Sequence, residues 1–221
     1  MNTERPTRRA LLGAACLTGL AALLPRAVLA QGAKFSDAEK AELARLAAYF
    51  NGIRSLMGRF LQIGPDGSAS EGLIAMQRPG RFRFEYDPPA PLLIVSDGSY
   101  ITMEDRQLKS VDRLPLGTTP LDILVRDQVS FDDPKLAVTR LERGAAALRV
   151  TLAEAGKQGD GSLVLAFADK PLGFTGWTVL DAQGNTTTVS LSSLDLNPTL
   201  PESLFRYGMR PAQLRELQRR R

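Results

Sequence analysis

Histidine is absent from the 221-residue chain, and its single cysteine, Cys16, lies near the N-terminus. Without imidazole or a further thiol, Ser-His-Asp triads, cysteine nucleophiles and the usual zinc, haem and iron-sulfur ligand sets are excluded. No P-loop and no Gly-x-Gly-x-x-Gly fingerprint occurs. Asp87, Asp97 and the Asp132-Asp133 pair stand where turns favour aspartate, not as the spaced carboxylates that glycoside hydrolysis needs. Beyond residue 30 no segment approaches the ~20 apolar residues of a membrane-spanning helix. These absences argue against an enzyme, a resident metal or a cofactor.

The first 30 residues have a secretory layout: Arg8-Arg9, an apolar run from Ala10 to Leu24, and Ala-Val-Leu-Ala ending at Ala30. Thr7-Arg8-Arg9-Ala10-Leu11-Leu12 suits either twin-arginine or general secretory export. Cys16 lacks the preceding leucine of a lipid-modified N-terminus; Gly13 stands there. Removing this stretch lowers the formal charge from +4 to +1, leaving a nearly neutral body of roughly 190 residues, a single domain with no basic face for nucleic acid. The expected boundaries are a cleaved signal at 1–30, one domain at 31–209, and a basic tail at 210–221. That tail reads as a solvated terminus or as a contact for anionic lipid headgroups.

Ser36 and Glu39 form a capping-box pattern, and Leu43, Leu46, Ala47, Phe50 and Ile53 follow at helical spacing until Gly52 signals a stop. The stripe either seals a core or forms a movable cover. Strand-like runs Leu56 to Ile63 and Gly72 to Gln77 flank the turn Gly64-Pro65-Asp66-Gly67. A second pair, Leu92 to Val95 and Tyr100 to Met103, flanks Ser96-Asp97-Gly98-Ser99. Thr119 as cap and Pro120 at the first position start a short apolar helix, Leu121 to Val125. Further strands are expected at 135–141, 147–154, 162–168, 177–180 and 186–194, separated by turn clusters. The expectation is nine or ten strands in one curved antiparallel sheet, α+β but mainly β, with helices over its concave face.

Between the two hairpins, Arg81-Phe82-Arg83-Phe84-Glu85-Tyr86 alternates ring and charge. A period of two puts Phe82, Phe84 and Tyr86 on a greasy face and Arg81, Arg83 and Glu85 on a wet one. Ile74 and Met76 join the greasy face in the same register, and so does Arg78. An unpaired buried charge costs several kcal/mol, so Arg78 needs partners, which the exposed carbonyls at the end of a covering helix would supply.

The stretch Arg78 to Gly98, RPGRFRFEYDPPAPLLIVSDG, resembles the LolA family of periplasmic lipoprotein carriers. Phe60-x-Gln62, Thr119-Pro120-Leu121, Asp181-x-x-Gly184-Asn185-Thr186, Asn197 and Phe205 extend the resemblance over about residues 38 to 207. Departures are Ala75, Phe84 and Thr102, where relatives often carry tryptophan, and Tyr207-Gly208-Met209-Arg210-Pro211 in place of a Pro-Pro-Gly-like turn.

The resemblance implies an incomplete, half-closed β-barrel in the periplasm whose apolar cavity binds the acyl chains of lipoproteins. Ile74, Met76, Phe82, Phe84, Tyr86, Leu93 and Val95 would line the cavity. Arg78 would latch the lid helices, which carry Leu43, Leu46, Phe50, Leu121, Ile123 and Leu124. The implied partners are acylated lipoproteins, an inner-membrane lipoprotein-releasing ABC transporter as donor, and an outer-membrane acceptor or the membrane itself. The carrier would be a monomer. The alternatives are a lipid-sensing or regulatory protein on the same half-barrel, and a carrier of another lipid.

Overall fold

A computed structural model describes residues 35–157, 159–208 and 212–219. The proposed signal at 1–30 and the domain boundary at 209 lie outside these residues.

Helix α1 (Asp37–Asn51) begins at a capping box: the Glu39 amide donates to the Ser36 hydroxyl, and the Ser36 amide donates back to the Glu39 carboxylate at 2.7 Å. It stops at Gly52 and buries Leu43, Leu46 and Phe50. The first hairpins supply β1 (Ser55–Ile63), β2 (Ala69–Gln77), β3 (Arg81–Tyr86), β4 (Leu92–Asp97), β5 (Tyr100–Asp105) and β6 (Ser110–Pro115). Helix α2 (Leu121–Val125) follows, then β7 (Leu136–Arg143), β8 (Ala147–Glu154), β9 (Gly161–Ala168), β10 (Gly173–Asp181), β11 (Thr186–Leu196) and α3 (Ala212–Arg219).

The strands form one antiparallel sheet of eleven, in the order β6-β5-β4-β3-β2-β1-β11-β10-β9-β8-β7. The chain therefore starts at the middle of the sheet, walks to one edge, crosses to the other and walks back. The crossing connection, 116–135, carries α2, so α2 belongs to the only link between the two free edges among the described residues.

The sheet is strongly curved. Phe84 on β3 and Trp177 on β10 are four strand spacings apart, about 19 Å in a flat sheet, yet their ring centroids are 6.0 Å apart. Gly72 helps the curl. It sits between Phe60 and Tyr86 in the register, and with no side chain there the two rings meet at 5.0 Å. A Cβ at Gly72 would strike the Glu85 carbonyl and the Phe60 ring.

Two expectations need correction. The sheet has eleven strands where nine or ten were expected: β6 carries no apolar alternation, being exposed along most of its length, and its pairing with β5 alone reveals it. The Thr119 hydroxyl does not cap α2; it donates backward to the Leu116 carbonyl at 3.0 Å.

Candidate functional site: an apolar face under two helices

Antiparallel partners share a face of the sheet, so the register sorts the side chains. Met76, Phe82, Ser96 and Ile101 are cross-strand neighbours, as are Ile74, Phe84, Ile94 and Met103. These residues and Tyr86 belong to the face against which α1 and α2 pack. Ile74, Met76, Phe82, Phe84 and Tyr86 are buried in one cluster with Leu43, Leu46, Phe50, Ile123 and Leu124, while Leu121 is half-buried at its edge.

Leu93 and Val95 do not belong there. They pair with Glu85 and Arg83, which puts them on the opposite face, and neither is in the cluster under the helices. Ile94, the residue between them, occupies the lid side. An uninterrupted apolar run hides its register, because a one-residue slip exchanges the two faces.

The opposite face is not wet either. Arg83 is fully buried and Glu85 nearly so, joined by a 2.7 Å bond from Arg83 Nε to Glu85 Oε1. Arg83 Nη1 also donates to the Leu204 carbonyl at 3.3 Å. The cover is the C-terminal segment: Leu200, Leu204, Phe205 and Leu214 pack on Met57, Leu73 and Ala75. Leu214 on α3 is completely buried, and Arg215 donates to Asp87 at 3.0 Å, so this part of the tail is docked on the sheet and not solvated. Burial pushes the Glu85 carboxyl above its ordinary range, against the pull of Arg83.

Arg78 stands where β2 ends, and it holds both helices. Its Nη2 donates to the Leu124 carbonyl of α2 at 3.1 Å, and its Nη1 approaches Asn51 Oδ1 of α1 at 3.5 Å. The guanidinium lies over the Phe50 ring, 4.0 Å from its centre. Nε has no hydrogen-bond partner among the described residues. Burial, reinforced by Arg54, pushes Arg78 down to about 10, which still leaves it charged at neutral pH. Beside it, the Gly80 amide donates to the Val125 carbonyl at 2.8 Å.

Several residues escaped the sequence reading. Asn51 closes a two-way clasp on Val129, its Nδ2 donating to the carbonyl and its Oδ1 accepting from the amide, each at 2.9 Å. No periodicity marks such a residue. Phe174 and Trp177 are three apart, so strict alternation would separate them. A bulge between Phe174 and Gly176 puts both on the lid side, stacked at 6.2 Å. Phe167 was not singled out either, although its alternation with Leu165 and Leu163, all fully buried, is a signal that could have found it. Tyr86 donates from its hydroxyl to Gln62 at 2.8 Å, and burial raises its pKa to about 12.

Among the described residues no helix is long and apolar enough to cross a membrane, and no three acidic, histidine or cysteine side chains gather as a metal site. What the geometry offers is a curved apolar sheet face, closed by two short helices that one cation ties together.

The profile of the family described as "Outer membrane lipoprotein carrier protein LolA" matches residues 51–208, from Asn51 to the turn before α3. The chain belongs to the LolA family. An outer-membrane lipoprotein carrier protein of Bordetella avium is 33% identical over 85% of this chain and 88% of its own length. That of Chromobacterium violaceum is 29% identical over 84% and 92%. Among solved structures, a LolA superfamily protein from Nitrosomonas europaea is 13% identical, with a TM-score of 0.41 over 74% of this chain and 97% of that one. The LolA match spans every strand of the sheet, α2, and the last residue of α1.

Proposed function

We propose that this LolA-family protein is a periplasmic carrier that takes up the acyl chains of lipoproteins between the sheet and its two covering helices and delivers them to the outer membrane. The observation that carries the reading is Arg78, a charged side chain in an apolar interior whose polar contacts reach both helices. A permanent core would be better served by an aliphatic residue, since replacing a buried charge by apolar packing is often neutral or stabilising. Hydrogen bonds from a cation to a carbonyl and a carboxamide, unlike packed methyl groups, can be broken and remade without exposing new apolar surface on the latch itself.

The energetics call for such a device. Each buried methylene is worth about 0.8 kcal/mol, so one long acyl chain in water costs on the order of 10 kcal/mol. An empty carrier with its apolar face open would aggregate. Closing the face with α1 and α2 when empty, and letting the chains displace them when loaded, meets both demands. The donor would be an inner-membrane ABC transporter, and the acceptor an outer-membrane protein or the membrane itself. Release needs only tighter binding by the acceptor, and no bond is made or cleaved.

Phe82→Glu tests the reading by placing a carboxylate on the apolar face. Loading with an acylated lipoprotein is expected to fail while the unacylated form continues not to bind. Normal loading and delivery by this variant would count against the face being the cavity.

A further inference from the structure

The two covering helices are held very differently. Helix α1 is fixed from several sides: the Phe50 ring lies 5.1 Å from Phe174, the Phe174 amide donates to the Tyr49 hydroxyl at 3.3 Å, and Glu42 pairs with Arg143 of β7 at 2.9 Å. Helix α2 is five residues long, too short to persist unaided. Its ties to the sheet and to α1 include the bonds of Leu124 to Arg78, of Val125 to Gly80 and, just beyond it, the Asn51 clasp on Val129.

A groove of about 670 Å³ runs along the seam between α1 and the segment 128–132 that follows α2, from Phe35 just before α1 to Asn51 at its end. Leu43, Ala47, Val129, Phe131 and Val138 line it. Leu43, Val129 and Val138 are also members of the cluster beneath the helices, so the groove floor is continuous with the interior. Lys40, Gln128, Ser130 and Asp132 also line it but are exposed, so its deeper wall is apolar, where an acyl chain needs no polar partner.

We propose that this groove is the port through which a cargo acyl chain passes, and that Asn51 is the positioning residue that couples filling it to release of Arg78. The inference rests on the carrier reading above. A chain lying against Phe131 and Val129 presses the 128–132 segment away from α1, which stays in place. The two bonds of Asn51 to Val129 part first. Oδ1 then no longer holds its position beside Arg78, and α2, with the Leu124 carbonyl, follows the segment to which it is covalently joined.

The test places a benzophenone side chain at Ala44 or Phe131, which line the groove, and at Thr118, which lines a separate depression beside the start of α2. Each variant of the full mature chain is irradiated with a triacylated lipoprotein and with its unacylated form. Strong crosslinking at Ala44 and Phe131, several-fold above Thr118 and only with the acylated form, is the expected result. A complex that crosslinks at Thr118 and not at the groove overturns the port while leaving the carrier reading standing. Equal crosslinking of both forms shows a polypeptide in the groove and also overturns it. No complex at all removes the carrier reading and the port together.

The coupling has its own readout. Asn51→Ala is expected to speed loading, followed by Trp177 emission, by roughly tenfold, the scale of two lost hydrogen bonds. Asn51→Asp keeps the acceptor for Val129 and Arg78 but loses the donor to the Val129 carbonyl, one of the two bonds, and should speed loading by only about threefold. An unchanged rate for Asn51→Ala overturns the role of Asn51.

Discussion

The guanidinium of Arg78 lies 4.0 Å from the centre of the Phe50 ring while donating to the Leu124 carbonyl, so a single side chain from the end of a strand touches both covering helices. The contact with Phe50 is a cation–π interaction in a desolvated setting, the circumstance in which such contacts are strongest.

Arg78→Leu should therefore leave the fold intact. Leucine removes a buried charge that has an unsatisfied nitrogen, so the melting temperature is expected to stay within about 4 °C of wild type, which for a chain this size is about 1 kcal/mol. Lipid uptake should persist and transfer to an acceptor should slow. Transfer at the wild-type rate would remove the latch role.

The pair Arg83 and Glu85 behaves differently because it has partners on the opposite face. Arg83→Met alone leaves a carboxylate buried without its counter-ion and should cost about 3–5 kcal/mol in urea denaturation. The double change Arg83→Met with Glu85→Leu should recover most of that loss. Equal losses in Arg83→Met and in the double variant would show that the stranded carboxylate is not what the single change costs.

Glu85 also sets a pH dependence. Its carboxyl is raised in the folded state, so the folded form binds the proton more tightly than the unfolded form. The stabilising share of Glu85 is full below the ordinary value of 4.5 and is lost as pH rises through the raised value. Relative to Glu85→Gln, the wild type should lose stability across that window. A difference between them that does not vary with pH would contradict the assignment.

Gly72→Ala should be costly. The new Cβ meets a backbone carbonyl of β3 and the Phe60 ring, and overpacking of this kind costs typically 1–3 kcal/mol. The loss should appear as a lower urea midpoint together with altered near-ultraviolet dichroism, since Phe60 and Tyr86 would be forced apart. A midpoint unchanged from wild type would show that the sheet relaxes there at no cost.

Trp177 is the chain's only tryptophan and is buried against Phe84 and Phe174 on the lid side. Acyl binding that lifts α2 should change its emission, and the unacylated cargo should not. An emission that ignores acylated cargo would show that the chains do not reach this face.

Much of the architecture could be read from the residues because local chemistry and global fold agree there. The capping box at Ser36, the stop at Gly52, the Asp97-Gly98 turn and the alternation of Phe82, Phe84 and Tyr86 each point to the element that forms. Arg78 was legible from the period-two register, as a charge on an apolar face that needed carbonyls. Leu93 and Val95 were misplaced because their run has no alternation to set the register. Arg83 and Glu85 were expected in water because the segment that covers them arrives from more than a hundred residues away, and no local pattern announces it. Asn51 and the Phe174–Trp177 stack depend on a clasp and a bulge, which are tertiary facts.

The most direct measurement is native mass spectrometry of residues 31–221 mixed with a triacylated lipoprotein and, separately, with its unacylated form. The account predicts a one-to-one complex with the acylated form alone, lost in Phe82→Glu and retained in Arg78→Leu. Equal binding of both forms, or binding of neither, would contradict it.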